Sequence, residues 1–399
     1  MEIPVNMEIP AQPRFRIIRA SVAILALVAA MSLAQRIHAV SHRYDQFDFN
    51  HFYGWWSDYS SGGDPWTDRR GPMRGCNYPP AFVEIFSPLA RLDPKTAFRI
   101  WQAAMVLCVA AAVLLLAHGN ASPLGPGPTI IVLSLVLLSR PFAGSLVWSQ
   151  VAPMLLALLS AAWFFAQREQ QAAAGLCVAL AALLKLYPAG AAGYFLFGRR
   201  WRALGWTIGF FAAGVLLTNP GLWLELVTWG LPLTYHVRGG RAGVTVLPFV
   251  RSSLAHFAGI RIAAEPILAV WGFTALLDLA LLAIAGAATI TSRARTDLDG
   301  LRFGLWVALA LLMSPLAWET DTLLLLPAYL FGLRAAWDGD QPREAAWRIG
   351  LIAGATMLAI CIASTLIKAL PHPGFPVLLG AYLGAALIFR VRIRSELPR

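Results

Sequence analysis

Apolar residues run along this chain in blocks too long for the core of a soluble domain, separated by short polar stretches rich in arginine. A helix crossing a bilayer needs about 20 such residues, because the hydrocarbon layer is about 30 Å thick. By that measure spans are predicted near 17–36, 98–117, 129–147, 150–166, 203–219, 266–290, 301–317, 321–336, 349–368 and 375–390. The first run is long and has no small-residue cleavage site before Gln35-Arg36, so an uncleaved helix is expected rather than a signal peptide. The fold class expected is therefore an all-α polytopic membrane protein of about ten spanning helices, forming a single domain over residues 1–399.

One region departs from this pattern. Residues 172–184 and 187–198 are apolar but short, about 18–20 Å each at 1.5 Å per residue, with Lys185 and Pro188 between them. Proline breaks a helix, and broken backbone at membrane depth is tolerated only against protein or a wet cavity. The expectation is a re-entrant hairpin over about 172–198. Arginine placement supports it. With the N-terminus in the cytoplasm and the hairpin returning to its own side, the groups at 14–19, 199–202, 293–302, 334–348 and 390–394 all fall in the cytoplasm. A single crossing there would flip the later groups outward. Two long segments, about 37–97 and 220–265, then lie outside. The first carries Phe47, Phe49, Phe52, Tyr53, Trp55, Trp56 and Tyr59, a density that suits a helix lying in the membrane interface.

Composition agrees. Hydrophobic residues make up 58% and charged residues 13%, against about 25% charged in soluble domains. Mean hydropathy is +0.62. Disorder is excluded, because a disordered chain lacks this apolar mass. The net charge of +11 comes from arginines beside apolar runs, the habit of topology signals, so nucleic acid is not the expected partner. Only Lys95, Lys185 and Lys368 are lysines. The cysteines at 76, 108, 177 and 361 show no metal-binding spacing and no obvious disulfide partner.

Candidate chemistry concentrates in a few places. Asp45 and Asp48 open the first outer loop at a spacing that shares one helix face. A carboxylate among apolar rings can serve as a general base; a helix cap or a solvated acid is the bland alternative. Lys185 sits at membrane depth, where an ammonium costs about 2.5–3.5 kcal/mol, so it needs an anionic partner or a wet cavity. A lipid-linked phosphate would serve; so would an intramembrane acid such as Asp278. Arg140 near the outer end of a span, and Arg238 and Arg241 among glycines in the second outer loop, are further candidate phosphate contacts, against interfacial snorkelling and a solvated loop. Trp318, Glu319 and Asp321 fall between two spans on the same outer side as Asp48, where acids and a ring can hold sugar hydroxyls or simply cap the next helix. Asp45, Asp48, Glu319 and Asp321 offer oxygen ligands to a divalent ion, but nothing requires one.

The order of short motifs adds to this reading. Asp48-Phe49-Asn50-His51-Phe52-Tyr53 is followed by Gly63-Asp64-Pro65-Trp66, Asn77-Tyr78-Pro79-Pro80-Ala81-Phe82 and Phe86-Ser87-Pro88-Leu89-Ala90. Arg140-Pro141, Ser149-Gln150-Val151, Leu184-Lys185-Leu186-Tyr187-Pro188 and Ser314-Pro315-Leu316-Ala317-Trp318 follow. Over roughly residues 45–335 this series resembles glycosyltransferase family 87 of the GT-C superfamily, whose members include polyprenol-phosphate-mannose-dependent α-mannosyltransferases. The resemblance implies transfer of a sugar, mannose by analogy, from a polyprenyl phosphate to a lipid or glycan acceptor outside a bacterial inner membrane, without a cofactor or metal. It implies inversion at the anomeric carbon, with Asp48 as the base and Asp45 as its alternate. Tyr53, Tyr78 and Gln150 of these motifs join Trp318, Glu319 and Asp321 as candidate sugar- and acceptor-binding residues. The chain departs from the family pattern where a glycine and an asparagine flank Gln150, with Ser149 and Ala152 there. It departs again after Trp318, with Thr320 and Asp321 where the family often places histidines. A transporter or lipid flippase is the alternative, but such proteins carry midplane ionisable pairs and helix repeats. Here the acids gather in an aromatic outer loop and no clear repeat is seen.

Overall fold

The computed structural model describes residues 13–41, 48–65, 76, 78–119, 124–230, 246–247, 250, 268–314, 317–337 and 382. Among them every regular element is helical. The helices are α1 (Pro13–Ser41), α2 (Asp48–Ser60), α3 (Pro80–Phe86), α4 (Pro94–His118), α5 (Pro126–Leu138), α6 (Arg140–Trp148), α7 (Ala152–Gln167) and α8 (Gln171–Leu184). They continue as α9 (Gly193–Phe197), α10 (Trp201–Leu217), α11 (Pro220–Glu225), α12 (Leu268–Thr291), α13 (Asp299–Leu312) and α14 (Leu326–Trp337). Short 3-10 turns occupy Ser87–Arg91, Tyr187–Ala192 and Glu319–Leu325.

Among the described residues, three helical stretches are long and apolar enough to cross a membrane: Arg19–Ser41 in α1, Pro94–His118 and Gly272–Thr291 in α12. The apolar run at 129–147 is not one straight span. α5 and α6 meet at a 53° bend. Pro141 has no N–H to donate back to Leu137, and the freed carbonyls of Leu137 and Leu138 are taken instead by the Arg36 guanidinium of α1 at 3.0 and 3.3 Å. Ser139 caps the new helix, its hydroxyl accepting from the Phe142 N–H. The 301–317 run yields a helix of 14 residues, about 21 Å long, that stops ahead of Pro315. The 321–336 run divides into a 3-10 turn and the 12-residue α14. The runs at 349–368 and 375–390 lie outside the described residues except for Tyr382.

α2 also differs from the expected surface helix. Phe49, Phe52 and Trp56 recur at helical spacing and are at most 2% exposed. They pack against protein, on Phe82 of α3 and on Phe98 and Trp101 of α4. Edge-to-face pairs such as Phe49–Phe98 and Phe52–Phe82, with centroids 5.0 and 5.2 Å apart, add about 0.5–1.5 kcal/mol each beyond their area.

The chain breaks at Lys185, as its sequence predicts. Residues 171–184 leave the end of α7, and Arg200 returns to it, its guanidinium donating to the Ala166 carbonyl at 2.8 Å. Helices α7, α8 and α10 pack side by side, and a glycine permits the closest approach. A Cβ on Gly175 would lie 2.7 Å from the Ala203 carbonyl oxygen. The bundle thus has two distinct ends. At one, Asp299 accepts from Arg200 at 3.0 Å, from Arg302 at 2.5 Å and from the Tyr194 hydroxyl at 2.5 Å, while Arg293 reaches the Phe197 carbonyl at 2.8 Å. Asp48, Gln150, Lys185 and Asp321 gather at the other.

Candidate active site

Asp48 is the first residue of α2, where the N-terminal end of the helix dipole favours a carboxylate. The rings of α2 fix its place. Trp101 lies 5.3 Å from Trp56 and 6.0 Å from Phe52, centroid to centroid. The same indole donates its N–H to the Ser149 carbonyl at 2.9 Å, and Gln102 one position on donates to the Leu146 carbonyl at 2.8 Å. α4 therefore holds both the helix that carries Asp48 and the link between α6 and α7 that carries Gln150.

That link turns sharply. Ser149 has φ of 55° in the left-handed region, and the Gln150 N–H folds back to the Ser145 carbonyl at 3.0 Å. A left-handed cap favours glycine. This explains why a family pattern would place glycine here, and why serine can stand in its place only at a conformational cost. The turn aims the Gln150 side chain at Asp48, and its Nε2 donates to Asp48 Oδ2. Gln150 Oε1 in turn accepts from the Tyr78 hydroxyl at 3.4 Å.

Lys185 stands on the far side of Tyr78, its ammonium 6.0 Å from that ring's centroid and 5.2 Å from the Tyr187 ring. It ends α8 in an extended conformation, which swings its side chain out of the helix. The partner it finds is Asp321, with Nζ 3.0 and 2.9 Å from the two carboxylate oxygens; Asp278, the acid considered from the sequence, is not its counter-ion. Asp321 also accepts from the Tyr187 hydroxyl at 3.1 Å and from the Trp318 backbone N–H at 2.9 Å. The Asp321 side chain is fully buried and that of Lys185 only 13% exposed. Asp321 is thus held inside the protein by three donor groups rather than presented with Glu319 as one of a pair of sugar ligands. Glu319 pairs instead with Arg140 at 2.8 Å, both about half exposed. Thr320 between the two acids is buried, its methyl group against Gly144 of α6.

The sequence-derived candidates therefore separate. Asp48, Gln150, Tyr78, Lys185, Asp321 and the Trp318 backbone form one connected array, with Arg140 and Glu319 on the adjoining element. The Tyr53 hydroxyl is spent on the Leu92 and Ala90 carbonyls at 2.7 and 3.3 Å, bracing α2 against the turn at 87–91. Asp45, Arg238 and Arg241 lie outside the described residues. Tyr187 was not singled out from the sequence, although it stands two residues from Lys185 in the same motif. Beyond the array, Asp93 caps α4; its hydrogen bonds to Thr96 hold its carboxyl below the usual carboxylate range. Among the described residues no three His, Cys, Asp or Glu side chains come together as metal ligands would.

Chemically, the array offers an oriented carboxylate, a buried ammonium one aromatic ring away, and polar groups on a rigid aromatic base. Residues 77–315 match the family model described as Glycosyltransferase family 87. The chain is also 27% identical over 306 residues, 68% of each chain, to a protein of Mycobacterium tuberculosis (strain ATCC 25618 / H37Rv) named polyprenol-phosphate-mannose-dependent alpha-(1-2)-phosphatidylinositol mannoside mannosyltransferase.

Proposed function

The chain belongs to glycosyltransferase family 87, and we propose that it transfers a sugar, mannose by analogy with the mycobacterial relative, from a polyprenyl phosphate to a hydroxyl of a membrane lipid or glycan. Asp48 is the general base in this reading. It takes the proton as the acceptor O–H bond breaks, and the acceptor oxygen forms its bond to the anomeric carbon. The bond from that carbon to the phosphate oxygen breaks, and its electron pair leaves with the polyprenyl phosphate. Attack from the face opposite the leaving group inverts the centre without a covalent enzyme intermediate. A phosphate ester is already a good leaving group, so the base and positioning supply most of the rate.

Lys185 meets the donor phosphate. Its ammonium carries three N–H donors, and the two oxygens of Asp321 engage the charge from one side only. Arg140, half exposed, gives a second cationic contact. Arg238 and Arg241 remain candidates from the second outer loop. The reaction uses no metal. The chain is a multi-pass protein of a bacterial inner membrane, with residues 172–198 re-entrant. The end that carries Arg200, Arg293 and Arg302 faces the cytoplasm, and the Asp48 end faces outward.

The observation that most supports this reading is the continuous path from Asp48 through Gln150 and Tyr78 to Lys185 at one end of the bundle. Its test is a transfer assay. Membranes containing the chain, given labelled polyprenyl-phosphate mannose, should label an endogenous lipid or glycan that membranes lacking it leave unlabelled. Mass spectrometry of lipids after removal of the gene then names the acceptor. No transfer from any polyprenyl-phosphate sugar would reject the reading.

A further inference from the structure

Gln150 sits where the acceptor or sugar would be expected to find a ligand, yet both ends of its amide are committed to protein. An ionised carboxylate can only accept hydrogen bonds, so the NH2 group must face Asp48, and the carbonyl must face the Tyr78 hydroxyl. Gln150 is 5% exposed. Its backbone is pinned from both sides, by its own N–H on Ser145 and by Trp101 on the Ser149 carbonyl just before it. Since Trp101 also anchors α2, the amide and the carboxylate are referenced to the same indole.

We propose that Gln150 is a positioning residue for the base, fixing the plane of the Asp48 carboxylate and favouring its ionised form, with Tyr78 setting the orientation of the amide. The proposal rests on the reading of Asp48 as the base. It gives Tyr78 and Gln150 a role distinct from substrate contact. An N–H donor to a carboxylate stabilises the charged form, so the base stays ready at lower pH than it would alone. Restricting its rotation keeps the accepting oxygen aligned for the arriving hydroxyl.

Other titratable groups lie on α2, on the elements packed with it or beyond Tyr78. His51 lies one turn along α2, Glu84 is on α3 and bonded to the Asn219 N–H at 3.2 Å, Arg91 ends the turn packed on α2, and Lys185 with Asp321 stands beyond Tyr78. None of them changes in variants at 150, so a moved pH profile reports on Gln150.

The experiment compares pH–rate profiles of the full-length protein in membranes, using labelled polyprenyl-phosphate mannose, for the parent and for Gln150→Leu, Gln150→Glu, Tyr78→Phe and Asp48→Asn. Gln150→Leu should lower kcat about tenfold, leave the donor KM within about twofold, and move the acid limb of kcat/KM up by about one pH unit. Gln150→Glu places two carboxyl groups together sharing one proton, so its acid limb should rise further and its activity should recover at alkaline pH. Tyr78→Phe should move the limb in the same direction by less. If Gln150→Leu fails to fold, the other two variants carry the test. Transfer lost in Asp48→Asn with an unmoved acid limb in all the others would overturn the positioning role alone. A raised donor KM with unchanged kcat in the Gln150 variants would also overturn it, making Gln150 a substrate ligand. Transfer retained in Asp48→Asn would overturn the base reading itself.

Discussion

Replacing Lys185 with methionine tests whether the buried pair is structural as well as functional. Methionine suits a membrane interior better than an ammonium does, and on that ground alone the substitution should be harmless. The structure predicts otherwise. Asp321 is fully buried, and Lys185 supplies the charge that offsets it at 2.9 and 3.0 Å. Breaking a buried pair from one side costs about 3–5 kcal/mol. The Tyr187 hydroxyl and the Trp318 N–H remain to hold the carboxylate, which lowers the expected loss to about 2–4 kcal/mol. In thermal unfolding of the detergent-solubilised protein this is a fall in Tm of roughly 2–5 °C. Lys185→Met with Asp321→Asn removes the stranded charge, keeps an oxygen to accept from the Trp318 N–H, and turns an amide NH2 toward the Tyr187 hydroxyl, whose oxygen can accept from it. The double variant should recover at least half of the lost Tm while its donor KM stays raised, because the cation proposed for the phosphate is still missing. A single variant as stable as the parent, or a double variant no better than the single, would show that the buried pair adds no stability.

Three smaller outcomes follow from local geometry. Ser149→Gly relieves a left-handed residue and should raise stability by about 1 kcal/mol, read as a Tm increase of about one degree with transfer retained. Gly175→Ala should cost about 1–3 kcal/mol, since its Cβ would meet α10 backbone at 2.7 Å. Gly205→Ala, with open space around it, should be neutral or slightly stabilising in the same assay. Sugar transfer should persist after exhaustive EDTA treatment; loss that is restored by added divalent ions would show that a metal is required.

Much of this fold could be read from the chain. Blocks of apolar residues announce helices, and Lys185 followed by Pro188 announces a break at depth, because both facts are local. What stayed hidden depends on residues far apart. The bend between α5 and α6 needs Arg36, about a hundred positions earlier, to take the carbonyls that Pro141 leaves free. The partner of Lys185 is 136 positions later, and no spacing rule connects them. The packing of α2 stayed hidden for a different reason. Periodicity shows that Phe49, Phe52 and Trp56 share an apolar face, but a lipid surface and a bed of aromatic side chains satisfy that face equally well. Only the burial against Phe82, Phe98 and Trp101 distinguishes them. In the site, motif order pointed to Asp48, Gln150 and Lys185. Asp48 was expected there as the base and Lys185 as a phosphate contact; the positioning role proposed for Gln150 came only from the hydrogen bonds of its amide.

The proposed removal of the acceptor proton by the Asp48 carboxylate is measured by sugar transfer in Asp48→Asn. Asparagine keeps the size and an acceptor for the Gln150 amide, so the variant should accumulate in membranes at the parental level, with donor KM little changed. Its kcat should fall by about a hundredfold or more. Transfer at the parental rate by folded Asp48→Asn would contradict it.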